Sequence, residues 1–440
     1  MFAQRLCLVP RSSLSTLPVA QTSKRSLSRL ATYHEPAFPV RNRSIVYAPS
    51  HSRVPLSSTN QHRSLHVSPL LCEASPNMST LLTMFAPYPA NTMTAFRYYP
   101  GETTAVRETL PVPAPRPDEV VIKILAGGVC HSDLSILDPS GSIGEWTQPF
   151  TLGHEGAGVI TALGSDVSKL FPNLKKDMYV AVLGTNPCFK PACTPCSTGK
   201  DNLCPDSEGG WYGIGRDGFW AEYSAVRGDS IIPIPTTPEK ISPAVAALCT
   251  DAVLTPYHAL KTCIGVKPSD TVMILGCGGL GINAIQIAKG VLGASCVIGC
   301  DVREESLKRA KQAGADYVVT PDDLPTFLAA QHLSPDVVVD IVGTQHSFDT
   351  ALSVVKPAGL IHILGLMAPS VQFPLMRVVT KDLTVKASFW GCKQELIEVF
   401  DAAAKGQVKP EVETRPLEEC LQVLKEFHEG KVKGRIALVP

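Results

Sequence analysis

"TVMILGCGGLG", Thr271–Gly281, decides the fold. Thr271–Leu275 reads as a short buried strand, and the glycines after it open a helical stretch running to about Leu292. Gly276, Gly278 and Gly281 stand at G-x-G-x-x-G spacing. The first permits a tight turn, the second lets backbone approach a pyrophosphate, and the third lets helix and strand pack closely. Gly279 and Leu280 lie in the first helical turn, whose unpaired N–H groups face such an anion. A lone match of this kind is weak, because glycine turns are common. A strand before it and a helix after it make it a dinucleotide fingerprint.

Working outward, "SCVIGC" (Ser295–Cys300) is the next strand and ends at Asp301, 25 residues after Gly276. A carboxylate there would accept hydrogen bonds from the adenosine ribose and repel a 2′-phosphate, which favours NAD over NADP. The bland alternative is an empty turn with Asp301 as a helix cap. "EESLKRAKQA" reads as a helix with Glu304–Lys308 and Glu305–Arg309 pairs. "DVVVD" (Asp336–Asp340), a helix around Ser347–Val355 and "GLIHILG" (Gly359–Gly365) continue the alternation. Fully apolar strands alternating with helices predict an α/β fold, a Rossmann doubly wound parallel sheet covered on both faces.

The flanks read differently. "EVVIKIL" (Glu119–Leu125) is a strand, followed by a glycine-bearing turn in "AGGVCHSD". Gly, Pro and Cys crowd Pro139–Gly218 and suggest short strands, loops and a lobe. After Trp390 come two helical segments and a last strand, "RIALVP".

The chain has 440 residues, 44% hydrophobic and 18% charged, enough for two cored domains. No apolar run reaches the roughly 18 residues of a membrane span. Residues 1–77 carry nine basic residues and two acids, leaving 31 basic and 38 acidic residues and a formal net charge of −7 in the body. An acidic body speaks against nucleic acid as the main partner. The Arg-rich, Ser-rich, acid-poor start has the composition of a transit peptide, so residues 1–77 are expected to direct the chain to the mitochondrial matrix. A disordered extension, or initiation at Met78 with a cytoplasmic product, is the alternative.

Two groups of residues have the chemistry of metal ligands. "PCFKPACTPCSTGKDNLC" puts Cys188, Cys193, Cys196 and Cys204 within 17 positions. Four thiolates saturate a tetrahedral Zn²⁺ and leave no open position, so such a site holds shape and does not catalyse. A disulfide framework belongs to oxidising compartments. Separately, "GVCHSD" and "TLGHEGAG" hold Cys130 and His154, 24 residues apart and each beside glycines. Each alone reads as a buried core residue; beside a nucleotide fold they suggest a catalytic metal. Such a metal lowers the pKa of an alcohol oxygen, so that the alkoxide gives hydride to a nicotinamide.

From about Met93 to Pro440 the sequence resembles the zinc-dependent medium-chain alcohol dehydrogenases, in particular their microbial secondary-alcohol branch. "VCHSD", "LGHEGAG", the cysteine lobe, "GIGRDGFWAEY", "TDAVLTPYHAL" and "GCGGLG" match in order. The resemblance implies a GroES-like, mainly β catalytic domain at 78–254 with a structural-zinc lobe. A Rossmann domain at 255–390 follows, and residues 391–440 complete the catalytic domain. It implies two Zn²⁺ per chain, NAD, a small alcohol, ketone or aldehyde as substrate, and a homo-oligomer, dimer or tetramer.

Residue by residue, the third catalytic ligand falls on Asp251, where most of the family has cysteine; Cys249 is the fallback. Ser132 resembles the hydroxyl that takes the alcohol proton, and His131 the residue at the cofactor pyrophosphate. Asp133 and Glu155 resemble carboxylates that orient ligands. Thr255 and Arg435 match cofactor contacts, and Trp390 the secondary-alcohol pocket. Ser135 stands where many members have a relay histidine. Four residues separate Cys188 from Cys193, where the family mostly has two. The competing readings are a polyol or sugar-alcohol dehydrogenase, a zinc-free NADPH reductase of the same fold, and a non-enzymatic zinc-and-nucleotide-binding protein.

Overall fold

The computed structural model describes residues 91–139, 146–207 and 209–440. The chain divides into compact units at 1–74 and 75–440, and all described residues belong to the second. The expectations for residues 1–77, and the boundary at 78, lie outside them.

Six parallel strands form the nucleotide-type sheet. Their order is Tyr317–Val319, Cys296–Cys300, Thr271–Leu275, Val337–Asp340, Leu360–Ile363, Thr384–Ala387. The order reverses between the strands starting at Thr271 and Val337, the doubly wound arrangement in which ligands sit beyond the strands' carboxyl ends. Val272, Met273, Ile274, Val338 and Val339 are fully buried, as strands covered on both faces must be.

The second sheet is mainly antiparallel. Its spine is Glu119–Val129, paired along one edge with Glu155–Leu163. Its other edge is shared by Tyr223–Arg227 at the start and Ile436–Val439 at the end. The last strand of the chain thus returns to this antiparallel sheet after the parallel one is complete. Glu413–Pro416, a strand absent from the sequence reading, pairs beside it.

Two expectations need correction. The glycine turn after Leu125 is strand as far as Val129. Gly127 and Gly128 are there because neighbours leave no room for a Cβ. At Gly127 it would stand 2.7 Å from the Phe219 carbonyl oxygen, and at Gly128 1.8 Å from a Glu155 carboxylate oxygen. The Glu304–Arg309 region is helical, but its charges reach other elements: Glu305 pairs with Lys433 at 2.9 Å and Arg309 with Glu411 at 4.0 Å. The boundary at 254/255 falls inside one uninterrupted helical run, Pro243–Ile264.

Candidate active site

Cys130 directly follows the spine strand and caps the helix His131–Leu137. Asp133, three residues on, accepts the Cys130 N–H at 2.8 Å, a capping-box bond. His154 directly precedes the paired strand, in which Glu155 stands opposite Gly128. The antiparallel register therefore brings Cys130 and His154 out side by side. Asp251 arrives from the helical run Pro243–Ile264. Ligand atoms of Cys130, His154, Glu155 and Asp251 all lie within 4.8 Å of one another.

The imidazole is held at both nitrogens. Nδ1 lies 3.1 Å from Asp133 Oδ1, so it carries the proton, because a carboxylate only accepts. Nε2 faces Asp251 Oδ2 at 3.5 Å. His154, Asp133 and Glu155 are buried, whereas the Asp251 side chain is 14% exposed and marks the open side. Burial pulls the His154 pKa down, but Asp133, Asp251 and Cys130 outweigh it and hold it well above its ordinary value. Burial pushes the Cys130 thiol up, and Arg435 and His154 reverse that to a net lowering. Asp251 drops to about 2: burial opposes ionisation, and bonds from His154 and Thr255 win.

This donor set fits a zinc ion. Three acidic groups surround one imidazole, with Arg435 as the buried cation beside them. Arg435 pairs with Glu155 Oε1, while Glu155 Oε2 is buried without a hydrogen-bond partner. Such a carboxylate oxygen needs a cation or donor, and burial raises the Glu155 pKa to about 8 despite Arg435.

The dinucleotide loop lies on the other side of Arg435. Gly276 has φ +92°, a conformation natural to glycine, and a Cβ at Gly281 would stand 1.9 Å from the Gly276 carbonyl oxygen. A Cβ at Gly278 would meet only Arg303, at 3.8 Å, so the loop's outer face is open for a pyrophosphate. At Gly279 it would meet Arg435 Cδ at 2.3 Å. Leu280 packs on the core. His131 sets its ring edge-on to Phe427; burial there, then Arg435 and Arg303, lower its pKa. Asp301 accepts the Cys277 N–H at 2.8 Å and the Arg303 N–H at 2.9 Å.

In the lobe, the sulfurs of Cys188 and Cys196, and of Cys193 and Cys204, are each 3.8 Å apart, and all four lie within 4.8 Å. Within the wider Cys188–Cys193 gap Phe189 has φ +49°, and the Cys193 N–H donates to the Lys190 carbonyl at 3.0 Å. Arg227 anchors the loop through the Pro187 carbonyl at 3.1 Å. Burial and the neighbouring thiols push Cys196 up, while the Lys190 N–H helps hold Cys188 down. Thiols this close ionise together only around a cation.

Residues 116–236 match the alcohol dehydrogenase GroES-like domain, and residues 279–405 the zinc-binding dehydrogenase family. An alcohol dehydrogenase of Geobacillus stearothermophilus is 33% identical over 73% of this chain and 91% of its own length. One from Rhizobium meliloti is 32% identical over 76% and 94%. This chain belongs to the zinc-binding alcohol dehydrogenase family. Among solved structures, the acetophenone reductase of Geotrichum candidum in complex with NAD is similar with TM-score 0.71 and 36% identity, over 80% of this chain and 98% of that one. The alcohol dehydrogenase of Aeropyrum pernix is similar with TM-score 0.70 and 30% identity, over 79% and 100%.

Within that family frame, local chemistry explains how this chain aims its carboxylate. Cys249–Val253 is a π-helical turn, a frequent device at functional sites. It leaves Cys249 fully buried and outside the ligand cluster, and its thiol pKa is pushed up by burial. Thr255, one turn on, donates its hydroxyl to Asp251 Oδ1 at 2.6 Å. Pro256 lacks an N–H for the carbonyl of Ala252. Asn283, from the dinucleotide helix, donates to that oxygen at 2.9 Å and ties the two elements together. The sequence reading missed Asn283; Pro256 inside a helical pattern was the available signal. Trp390 has φ +51°, donates from Nε1 to the Thr250 carbonyl at 2.8 Å and sets its ring edge-on to His154 at 5.6 Å. It is buried as a wall of the ligand cluster. Ser132 Oγ lies 3.8 Å from Cys130 Sγ on the partly open side, and Ser135 bonds back to the His131 carbonyl.

Proposed function

We propose that this enzyme interconverts a secondary alcohol and its ketone, with NAD as hydride carrier. One observation carries the reading: Arg435 pairs with Glu155 of the ligand cluster and packs on Gly279 of the dinucleotide loop. Metal and cofactor sites are therefore adjacent. The similarity to a ketone reductase that binds NAD supports the substrate class.

Cys130, His154 and Asp251 would hold the catalytic zinc, with Glu155 beside them. When bound, the ion supplies the Lewis acidity that makes an alcohol proton labile near neutral pH. Asp133 keeps the His154 proton on Nδ1 and leaves Nε2 free as a ligand. Ser132, at the open edge, accepts the alcohol proton and passes it outward. With Ser135 in place of a relay histidine, the last transfer goes to solvent. Trp390 walls the inner side and excludes water. Arg303 and Arg435 gather positive charge around Gly278 and Gly279, where a pyrophosphate would lie, and His131, its pKa lowered by burial and by both guanidinium groups, stands beside them as a neutral imidazole. Asp301 selects the ribose that lacks a 2′-phosphate.

The cysteine lobe would hold a second, structural zinc. The edge strand Thr384–Ala387 directly follows the helix Leu375–Thr380, on which Leu375, Met376 and Val379 are exposed, and we assign these elements to homo-oligomer formation. Light scattering of the Leu375→Glu, Val379→Glu variant should then report a smaller species. Residues 1–77 are assigned to mitochondrial import on composition; a fluorescent fusion that stays cytosolic with and without them would end that assignment.

The deciding assay is NADH formation by zinc-loaded protein with paired primary and secondary alcohols. Faster oxidation of the secondary members is expected. A preference for primary alcohols would refute the ketone assignment. Silence with every alcohol, in protein that binds NAD, would refute the dehydrogenase reading.

A further inference from the structure

The helical run that carries Asp251 ends in a second set of reactive side chains, which the zinc site does not use. Cys263 Sγ lies 3.3 Å from His258 Nε2, and His258 Nδ1 lies 2.9 Å from each carboxylate oxygen of Glu395. Glu395 stands in the first turn of the helix Lys393–Ala404. There it also accepts the Cys392 N–H at 2.9 Å and the Thr262 hydroxyl. A thiol against an imidazole, itself oriented by a carboxylate, is the arrangement of an activated nucleophile.

The charges are arranged to keep a proton on the ring. Burial lowers the His258 pKa, but its bonds to Cys263 and Glu395 prevail and raise it to about 9. Burial opposes ionisation of Glu395, yet His258, the Cys392 N–H and Thr262 bring its pKa to about 2. From the neighbouring strand Leu360–Ile363, buried His362 is held near 4 by burial, His258 and Lys386, and bonds Ser388 at 2.9 Å. From Thr384–Ala387, Lys386 donates to the Cys263 carbonyl at 2.8 Å. On the run itself, Lys261 turns away to Glu398 at 2.5 Å. Glu395 is thus the anion of the cluster, and the imidazole stands between it and the sulfur. Cys263 is half-buried.

We propose that Cys263 is a nucleophilic thiol activated by His258 and Glu395, and the site at which this protein is oxidised by hydroperoxides. The thiol proton passes to His258 Nε2 as the sulfur attacks one peroxide oxygen; an S–O bond forms as the O–O bond breaks. Sulfur is oxidised to the sulfenic acid and the peroxide is reduced. The departing oxygen takes the proton from His258 Nε2 and leaves as water, or as an alcohol from an organic hydroperoxide. The other thiols outside the zinc clusters lack such a partner among the described residues. Cys249, Cys277, Cys300, Cys392 and Cys420 are buried, and burial pushes each thiol pKa up. Cys296 is half-buried like Cys263, but its pKa is raised by burial and by Asp316.

The test exposes full-length, zinc-loaded protein to limiting hydrogen peroxide at pH 7 with dimedone present, and follows each cysteine peptide by mass spectrometry. Cys263 should gain adduct several-fold faster than Cys296, because an imidazole nitrogen faces its sulfur at 3.3 Å. His258→Asn and Glu395→Gln should each lower the Cys263 rate several-fold and leave the Cys296 rate unchanged, which also reports that the variants are folded. Equal Cys263 and Cys296 rates in the unaltered protein would overturn the proposal without any variant. So would a Cys263 rate that neither substitution lowers.

Discussion

Replacing Asp133 with Asn changes one oxygen into an amide nitrogen and leaves the volume nearly untouched, yet it should cripple the catalytic metal site. Asp133 accepts from two donors, the Cys130 N–H at 2.8 Å and His154 Nδ1 at 3.1 Å. An amide has one accepting end, so whichever way Asn lies, one buried donor faces another. If the NH₂ faces His154, the ring must move its proton to Nε2, the nitrogen turned towards Asp251 and Cys130. If it faces Cys130, the backbone that positions the thiol is displaced. A lost bond to a charged acceptor, with a buried donor left over, costs about 1.5–3 kcal/mol. Metal affinity should therefore fall by about 10- to 100-fold, the usual range for residues that orient ligands. The assay is zinc release against a graded chelator, read as two steps: the Cys188–Cys204 site should release as in the unaltered protein, and the catalytic site far earlier. Catalytic zinc retained within twofold of the unaltered protein would refute the orientation argument.

Three more expectations follow from the same structure. Cys196→Ser should remove one of two zinc ions, lower the melting temperature and speed proteolysis within residues 187–204, while metal analysis still finds the catalytic ion. Asn283→Ala leaves the Ala252 carbonyl without its donor next to Pro256, and should cost about 1–3 kcal/mol in denaturant unfolding; an unchanged midpoint would mean that water replaces it. The His258–Glu395 pair should make stability depend on pH at both ends. The histidine contribution is whole below 6.5 and is lost as pH rises through about 9; the glutamate contribution is whole above 4.5 and is lost as pH falls to about 2. The melting-temperature gap between the unaltered protein and Glu395→Gln should therefore be widest at pH 4.5–6.5 and narrow towards pH 9, with Lys386 and His362 facing the pair in both.

Much of the site could be read from the chain because its chemistry is written in residue types at short range. A strand, three spaced glycines and a helix are contiguous, so Thr271–Gly281 specifies its own turn and its own anion-facing backbone. Four cysteines within one loop are likewise a local matter, and the wider gap before Cys193 still lets the four sulfurs meet. The Cys130–Asp133 capping box is local too.

What tertiary structure decided concerns residues whose roles depend on distant partners. "AGGV" has the composition of a turn, but Phe219 and Glu155 pack where Cβ atoms would be, and this makes it strand. Asp251 and Cys249 are two residues apart, and periodicity alone does not choose between them. The π-helical turn sets the angle that sends the carboxylate to His154 and the thiol into the core. Asn283, Arg435 and Glu395 act on groups 31, 280 and 137 residues away. Composition determined which chemistries were available to this chain. Packing, which alone fixes distance and orientation, determined which of them meet.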